Sequence, residues 1–216
     1  MSNNFKKRFF TSIVLFSLLF VMFLSNYILG YFLIIFGIFS ILEFDKIISI
    51  IFKKKKIKQL LFNLLFMFYI SLFCLLFFIF SFTFYIKILI FIILITCVAS
   101  DLGGYFFGKI FKGPKLTKIS PNKTISGSIG SLIFSIFFSS ILIYYLTNNF
   151  NVKIILIGFI TSLACQCGDL IISFLKRKSQ LNDTGNFLPG HGGILDRIDG
   201  ILLGVPIGFL ILSLVY

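Results

Sequence analysis

Residues 59–80 read QLLFNLLFMFYISLFCLLFFIF, a run without one charged side chain. As an α-helix rising about 1.5 Å per residue it extends roughly 33 Å, enough to cross the hydrocarbon core of a bilayer. Apolar runs of 16 to 24 residues recur along almost the whole chain, and 58% of its 216 residues are hydrophobic against 12% charged. No soluble globular domain is usually built that way. Breaks marked by charge, glycine, proline, asparagine and serine place spans near 9–25, 27–43, 59–80, 82–100, 128–147, 152–175 and 200–216. The expected fold class is therefore an all-α polytopic membrane protein of about seven transmembrane helices, with catalytic loops on the cytoplasmic side.

The first two spans are short and separated only by Ser25 and Asn26, which predicts a tight helical hairpin. Phe5 to Arg8 followed by an apolar run resembles a signal peptide, but no small-residue cleavage site follows, so the segment is expected to stay as a first helix. The domain reading is N-terminal transmembrane helices over 1–90 and a catalytic transmembrane domain over 91–216.

A formal charge of +13 raises the question of nucleic acid, but the basic residues are scattered between apolar spans and form no soluble domain that could hold a duplex. Placing the N-terminus in the cytoplasm puts 18 of the 20 basic residues on that side, with only Lys87 and Lys153 outside. All seven acids, Glu43, Asp45, Asp101, Asp169, Asp183, Asp196 and Asp199, fall at or near the same face. The localisation expected is a multi-pass protein of the cell (inner) membrane with its active site facing the cytoplasm. Four cysteines make no disulfide framework: Cys74 and Cys97 sit in apolar runs, and Cys165 and Cys167 are closer than zinc-binding spacing. They read as small buried residues.

Two cytoplasmic stretches, 101–127 and 176–199, mix glycine, proline, hydroxyl and basic residues without helical periodicity and are assigned to loops and short helices. At the end of the sixth span Gln166, Asp169, Ser173 and Lys176 form one polar stripe on a helix. Asp169 then lies about 10 Å deeper than Lys176, and a carboxylate set that far into lipid marks a functional site. In ILDRIDG, Asp196 and Asp199 are one turn apart at the start of the last span, where acids also suit the helix dipole. Together with Asp101 these carboxylates suggest hard-cation binding, shared with substrate phosphates. Ser120, Lys123 and Thr124, closed by Gly127 and Gly130 before a helix, offer the ingredients of an anion cradle. The sole histidine, His191, stands in Pro-Gly-His-Gly-Gly, where missing side chains let phosphates approach the backbone.

The stretch GDLIISFLKRKSQLNDTGNFLPGHGGILDRID, residues 168–199, resembles the signature of the phosphatidate cytidylyltransferase (CDP-diacylglycerol synthase) family. Ser173, Lys176, Arg177, Asp183, Gly185, Pro189 to Gly193, Asp196, Arg197 and Asp199 all fall at signature positions. DLGGY from Asp101 resembles the family's D-x-G-A-Y segment, and SPNKTISG its S-P-x-K-T-x-E-G loop. Asn182, Ser126 and Gly200 depart from the pattern, standing where lysine, an acid or glutamine, and serine are usual. The resemblance covers about residues 95–200. The chain is short for such a family, so an N-terminal span or two is expected to be absent.

The resemblance implies transfer of CMP from CTP to phosphatidate, giving CDP-diacylglycerol and pyrophosphate, with Mg²⁺ and often a second cation. It implies Asp169, Asp196 and Asp199 as metal ligands, with Asp101 as a fourth or supporting carboxylate. Ser120, Lys123, Thr124, Lys176 and Arg177 are then expected to hold phosphates, and His191, Gly192 and Gly193 to shape the nucleotide site. Ser173 is expected beside the substrate, and Arg197 to pair with a phosphate or tether the aspartates. The partners implied are CTP, phosphatidate and membrane lipid, no nucleic acid, with a homodimer left open. Two rival readings are a CTP-dependent lipid alcohol kinase, which transfers the γ-phosphate instead, and a cation or phosphate transporter with Asp169 in its pathway. Clustering of the acids at one face speaks against transport.

Overall fold

A computed structural model of the chain describes residues 17–117, 120, 123–185 and 192–215. Residues 17–24 are helical, and Ser25 separates them from six long helices. These are α1 (Asn26–Ile51), α2 (Lys56–Ser81), α3 (Phe84–Phe111), α4 (Ile125–Thr147), α5 (Val152–Lys178) and α6 (Leu195–Val215). Each of the six is long and apolar enough to cross a membrane. Among the described residues there is no strand; Lys115 and Thr124 form an isolated bridge. The protein is an all-α, multi-pass membrane protein, and its helical run is interrupted at Ser25, where the sequence separates the first two spans.

The three largest boundary differences from the sequence all lengthen a helix. The second span runs on to Ile51 rather than ending at 43, residues 101–111 continue α3 instead of forming a loop, and 195–199 are already the first turn of α6. Charged and glycine residues were read as breaks, but tertiary partners keep them helical. Gly103, Gly104 and Gly108 are contact points for a neighbouring helix rather than turn residues. Real ends carry recognisable caps. Asn148 closes α4 at φ 51, and Gln180 closes α5 at φ 58, with the Leu181 N–H donating to the Lys176 carbonyl in a Schellman arrangement.

The described residues form two compact units. The first takes the chain up to Lys87 together with Leu175–Ile198. In it α1 and α2 make an antiparallel hairpin: Phe44 stacks on Phe66 with ring centroids 3.8 Å apart, Phe52 on Phe62, and the Asn63 amide donates to Asp45. Within the helix α2 only Ile70, Phe77 and Ser81 are buried, so most of its apolar surface is left for lipid. Lys87, one of the two basic residues placed outside by charge, is buried; its ammonium donates to Asn26 Oδ1 at 2.6 Å and lies over the Phe23 ring.

The second unit comprises Ile88–Phe174 and the chain from Asp199. Here helices meet backbone to backbone through small residues. A Cβ added at Gly130 would lie 2.7 Å from the Gly103 carbonyl oxygen, and one at Gly127 would lie 2.8 Å from that of Gly104. Gly200 lies against the Cys165 backbone of α5, while Gly204 and Gly208, each one turn further along α6, leave room for the Cys165 and Thr161 side chains. In lipid, where apolar surface gives no preference for helix over solvent, close packing of small residues is what holds helices together. All four cysteines are free; Cys97 and Cys165 are buried as expected, Cys74 is half-buried, and Cys167 is exposed.

These contacts separate two classes of glycine. Gly130→Ala is expected to lower stability by about 1–3 kcal/mol, the usual cost of overpacking. Gly37→Ala meets only ordinary contacts at 3.5 Å and beyond, so it is expected to be neutral or to stabilise by up to about 1 kcal/mol through helix propensity. Thermal unfolding in detergent compares the two.

Candidate active site

In the second unit Asp101 of α3, Lys123 before α4, Asp169 of α5 and Asp199 of α6 are brought together. Gly168 brings this about: a Cβ there would overlap the Asp199 carbonyl oxygen, so α5 and α6 run in direct backbone contact. Asp169, the next residue, therefore meets Asp199. Their carboxyl groups are within hydrogen-bonding reach of each other, and Asp101 on α3 is close enough to act on Asp199 through space. Asp199 is only 8% exposed, and its Oδ1 accepts from the Gly200 N–H at 3.0 Å. Gly200, which stands where serine is usual in the family signature, lies against the Cys165 backbone at this crossing.

Lys123 answers the negative charge by forming an ion pair with Asp169. Its loop is shaped locally: the Leu116 N–H donates to the Lys123 carbonyl, the Ile125 N–H to that of Pro114, and the Lys123 N–H to that of Ser120. Thr124 is the N-cap of α4, its Oγ1 accepting from the Gly127 N–H at 3.1 Å. Ser126, another departure from the signature, holds the same turn by accepting from the Gly113 N–H at 3.2 Å and meeting the Thr124 hydroxyl at 3.0 Å. Below this level Gln166 pairs with Ser128 through both its oxygen and its amide, and Ser100 meets Ser162 at 2.8 Å. The polar stripe read on the sixth span is thus engaged at Gln166 and Asp169, and Ser173 is half-buried further along α5.

A separate cluster is built within the first unit. Asp196, in the first turn of α6, accepts from Lys176 Nζ at 2.6 Å through Oδ1; through Oδ2 it accepts from the Thr184 N–H at 2.9 Å, the Thr184 hydroxyl and the Gly193 N–H at 3.1 Å. Gly192 has φ +81, a conformation that favours glycine, and a Cβ there would stand 3.0 Å from the Asp196 carboxylate. Arg177 and Arg197 are exposed. His191, with Pro189 and Gly190, lies outside the described residues.

One participant escaped the sequence reading. Glu43 on α1, counted there only as an acid near the cytoplasmic face, is 3% exposed and accepts from the Thr184 hydroxyl and from the N–H groups of Ile194 and Leu195. An acid buried in an apolar run was the available signal, and its neighbours Asp45 and Lys46 disguised it as a span end. Thr184 gave no signal of its own.

Among the described residues no three histidine, cysteine or acidic side chains are arranged to hold a metal ion. Two carboxylates in contact are nonetheless a fitting donor set for Mg²⁺, which keeps several waters and takes its remaining oxygens from substrate phosphates. Asp169 with Asp199 supplies that pair. Asp196 has the least free coordination, since Lys176, Thr184 and Gly193 take both of its oxygens.

The class so defined is a multi-pass helical membrane protein with two carboxylates beside a lysine in one unit, and a carboxylate held by a lysine and a glycine turn in the other. The Cytidylyltransferase family profile matches residues 2–215, and the chain belongs to that family. It is 46% identical over 110 residues to a phosphatidate cytidylyltransferase of Staphylococcus aureus (strain COL), covering 50% of this chain and 42% of that protein. It is 42% identical over 113 residues to one of Helicobacter pylori (strain J99 / ATCC 700824), covering 52% and 42%. To one of Mycobacterium leprae (strain TN) it is 38% identical over 126 residues, covering 58% and 40%. The chain thus spans about two fifths of the length of the curated relatives it matches.

The Lys176–Asp196 pair is largely buried, with side chains 17% and 8% exposed. Lys176→Met is expected to cost about 3–5 kcal/mol by leaving the carboxylate without its cation, and Lys176→Met with Asp196→Leu to recover much of that loss. Unfolding of both variants in one detergent checks the order.

Proposed function

We propose that the chain is a nucleotidyltransferase that moves CMP from CTP to phosphatidate, giving CDP-diacylglycerol and pyrophosphate, at a site facing the cytoplasm. The observation carrying this reading is the contact of Asp169 with Asp199, with Lys123 paired to the first, in a chain of the Cytidylyltransferase family. The name shared by the curated relatives supplies the substrates, and the paired acids supply a reason for them.

In the reaction an oxygen of the phosphatidate phosphate attacks the α-phosphorus of CTP. A new phosphorus–oxygen bond forms, the bond between the α- and β-phosphates breaks, and pyrophosphate leaves. Both reactants are anions, so positioning and charge neutralisation dominate. Asp169 and Asp199 would hold Mg²⁺, with Asp101 beside them. When bound, that ion offsets the repulsion between the two substrates and stabilises the charge on the leaving group. Lys123 neutralises phosphate oxygens next to the acids, and Ser120 donates from the same turn. Thr124 fixes their approach by capping α4. Ser173, Lys176, Arg177 and Arg197 present cationic and hydroxyl groups to phosphates from the ends of α5 and α6, and His191, Gly192 and Gly193 shape the nucleotide site. Asp196 secures Lys176 and the turn that carries these glycines.

Purified protein with labelled CTP, phosphatidate and Mg²⁺ is expected to yield CDP-lipid and pyrophosphate. Asp169→Asn and Asp199→Asn are each expected to lower turnover by at least about 10²-fold, the scale of losing electrostatic stabilisation at a reacting centre. Phospholipid and CDP as products would identify a γ-phosphate transfer instead, and near-normal turnover of either variant would remove the acids from the mechanism. For orientation, in a chain whose own cysteines are replaced, Lys54→Cys is expected to react with a membrane-impermeant thiol reagent only from the cytoplasmic side, and Asn149→Cys only from the opposite side.

A further inference from the structure

Glu43 sits on a helix that carries no residue of the family signature, yet it holds three residues of the signature stretch, Thr184, Ile194 and Leu195. Its two oxygens accept three hydrogen bonds. Oε1 takes the Ile194 N–H at 3.0 Å; Oε2 takes the Leu195 N–H at 2.8 Å and the Thr184 hydroxyl at 2.7 Å. Ile194 and Leu195 are the residues where α6 begins. Their N–H groups are among those a helix start leaves without partners and turns outward with a partial positive charge. In most helices the cap comes from the preceding residues; here a carboxylate from α1 provides it.

The surroundings are fitted to that carboxylate. Gly185 and Gly193 both lack the side-chain carbon that would otherwise overlap it: a Cβ on Gly193 would lie 2.5 Å from Oε2 and 2.7 Å from Oε1, and one on Gly185 would be 3.0 Å from Cδ. Thr184, fully buried, divides its hydroxyl between Glu43 and Asp196, the latter at 3.1 Å. Glu43, Thr184, Asp196 and Lys176 therefore form one chain of hydrogen bonds within the first unit. Because a protein carboxylate already takes the Ile194 and Leu195 N–H groups, those two donors are not open to a substrate phosphate.

We propose that Glu43 is a positioning residue for the proposed transferase: by fixing Thr184 and the first turn of α6 it sets the aim of Asp196, Lys176 and the glycine turn at 192–193, without touching substrate. The proposal rests on the reading given under Proposed function. Glu43→Gln keeps the shape of the side chain but offers one acceptor oxygen where two are used, and turns an amide donor against an N–H or hydroxyl donor. Misplacement of reacting groups by about an ångström can cost on the order of 10²-fold in rate.

The test compares wild type, Glu43→Gln, Thr184→Val and the double variant, each as monodisperse full-length protein in detergent, with turnover expressed per folded molecule. Glu43→Gln is expected to lower kcat by about 10- to 100-fold while leaving KM for CTP and for phosphatidate within about twofold. The double variant is expected to be no worse than the poorer single one, because both act through one hydrogen bond chain. Amide exchange at Ile194 and Leu195 is expected to quicken at least about tenfold in Glu43→Gln, while amides in the middle of α2 keep their protection. Unchanged turnover, a loss that disappears on cooling to about 10 °C, or a rise in KM for CTP at constant kcat would each overturn the proposal; the last would make Glu43 a substrate contact. If the wild type makes no CDP-lipid, the reading of the function fails; the exchange comparison then decides by itself whether Glu43 holds this turn.

Discussion

A carboxylate among apolar helices has to find donors, and this requirement organises the polar interior of the protein. Every hydrogen bond such a group lacks inside a low-dielectric bundle costs more than it would at a wet surface. Each compact unit meets the demand with different chemistry. In the first, Glu43 and Asp196 are satisfied by backbone N–H groups, a threonine hydroxyl and one lysine, which leaves a rigid turn. In the second, Asp169 has Lys123, while Asp199 is set against it with a single backbone donor from its own neighbour. Two carboxyl groups set that close repel one another when both are charged.

Glycine is the means by which the acids reach these positions. Gly168 lets the backbone of α5 touch that of α6, so that two carboxylates on different helices come together. Gly127, Gly130, Gly103 and Gly104 do the same for the helices behind them. Gly185 and Gly193 have another purpose, clearing a place for a side chain arriving from α1. Glycine-rich stretches in soluble proteins commonly mark turns, and here several mark contact surfaces. That difference follows from the solvent: lipid does not drive helices together, so they associate where the backbones can approach.

Much of the architecture was legible in the residue order. Uncharged runs such as 59–80 reveal their helices through length alone, and the interruption at Ser25 falls between two spans read from the sequence. The boundaries misread were those where Glu43, Asp101 to Gly108 and Asp196 looked like the beginnings of loops. Each is helical because its polar or glycine residue meets a partner far away in sequence, information that a local window does not contain. The Asp169 stripe was readable because a lone acid within a span is conspicuous. Glu43 was not, because it lies within three residues of Asp45 and Lys46 and shares their appearance.

The sequence by itself determined that this chain is a bundle of membrane-spanning helices and that the stretch from 168 to 199 carries a cytidylyltransferase-like pattern. Those properties reside in composition, period and spacing. Only the tertiary structure decided which acids meet: Asp169 with Asp199, Asp196 with Lys176, and Glu43 with the start of α6. The physical reason is that pairing depends on which backbones can touch and which N–H groups are left open, and both are settled when helices distant in the chain are packed side by side.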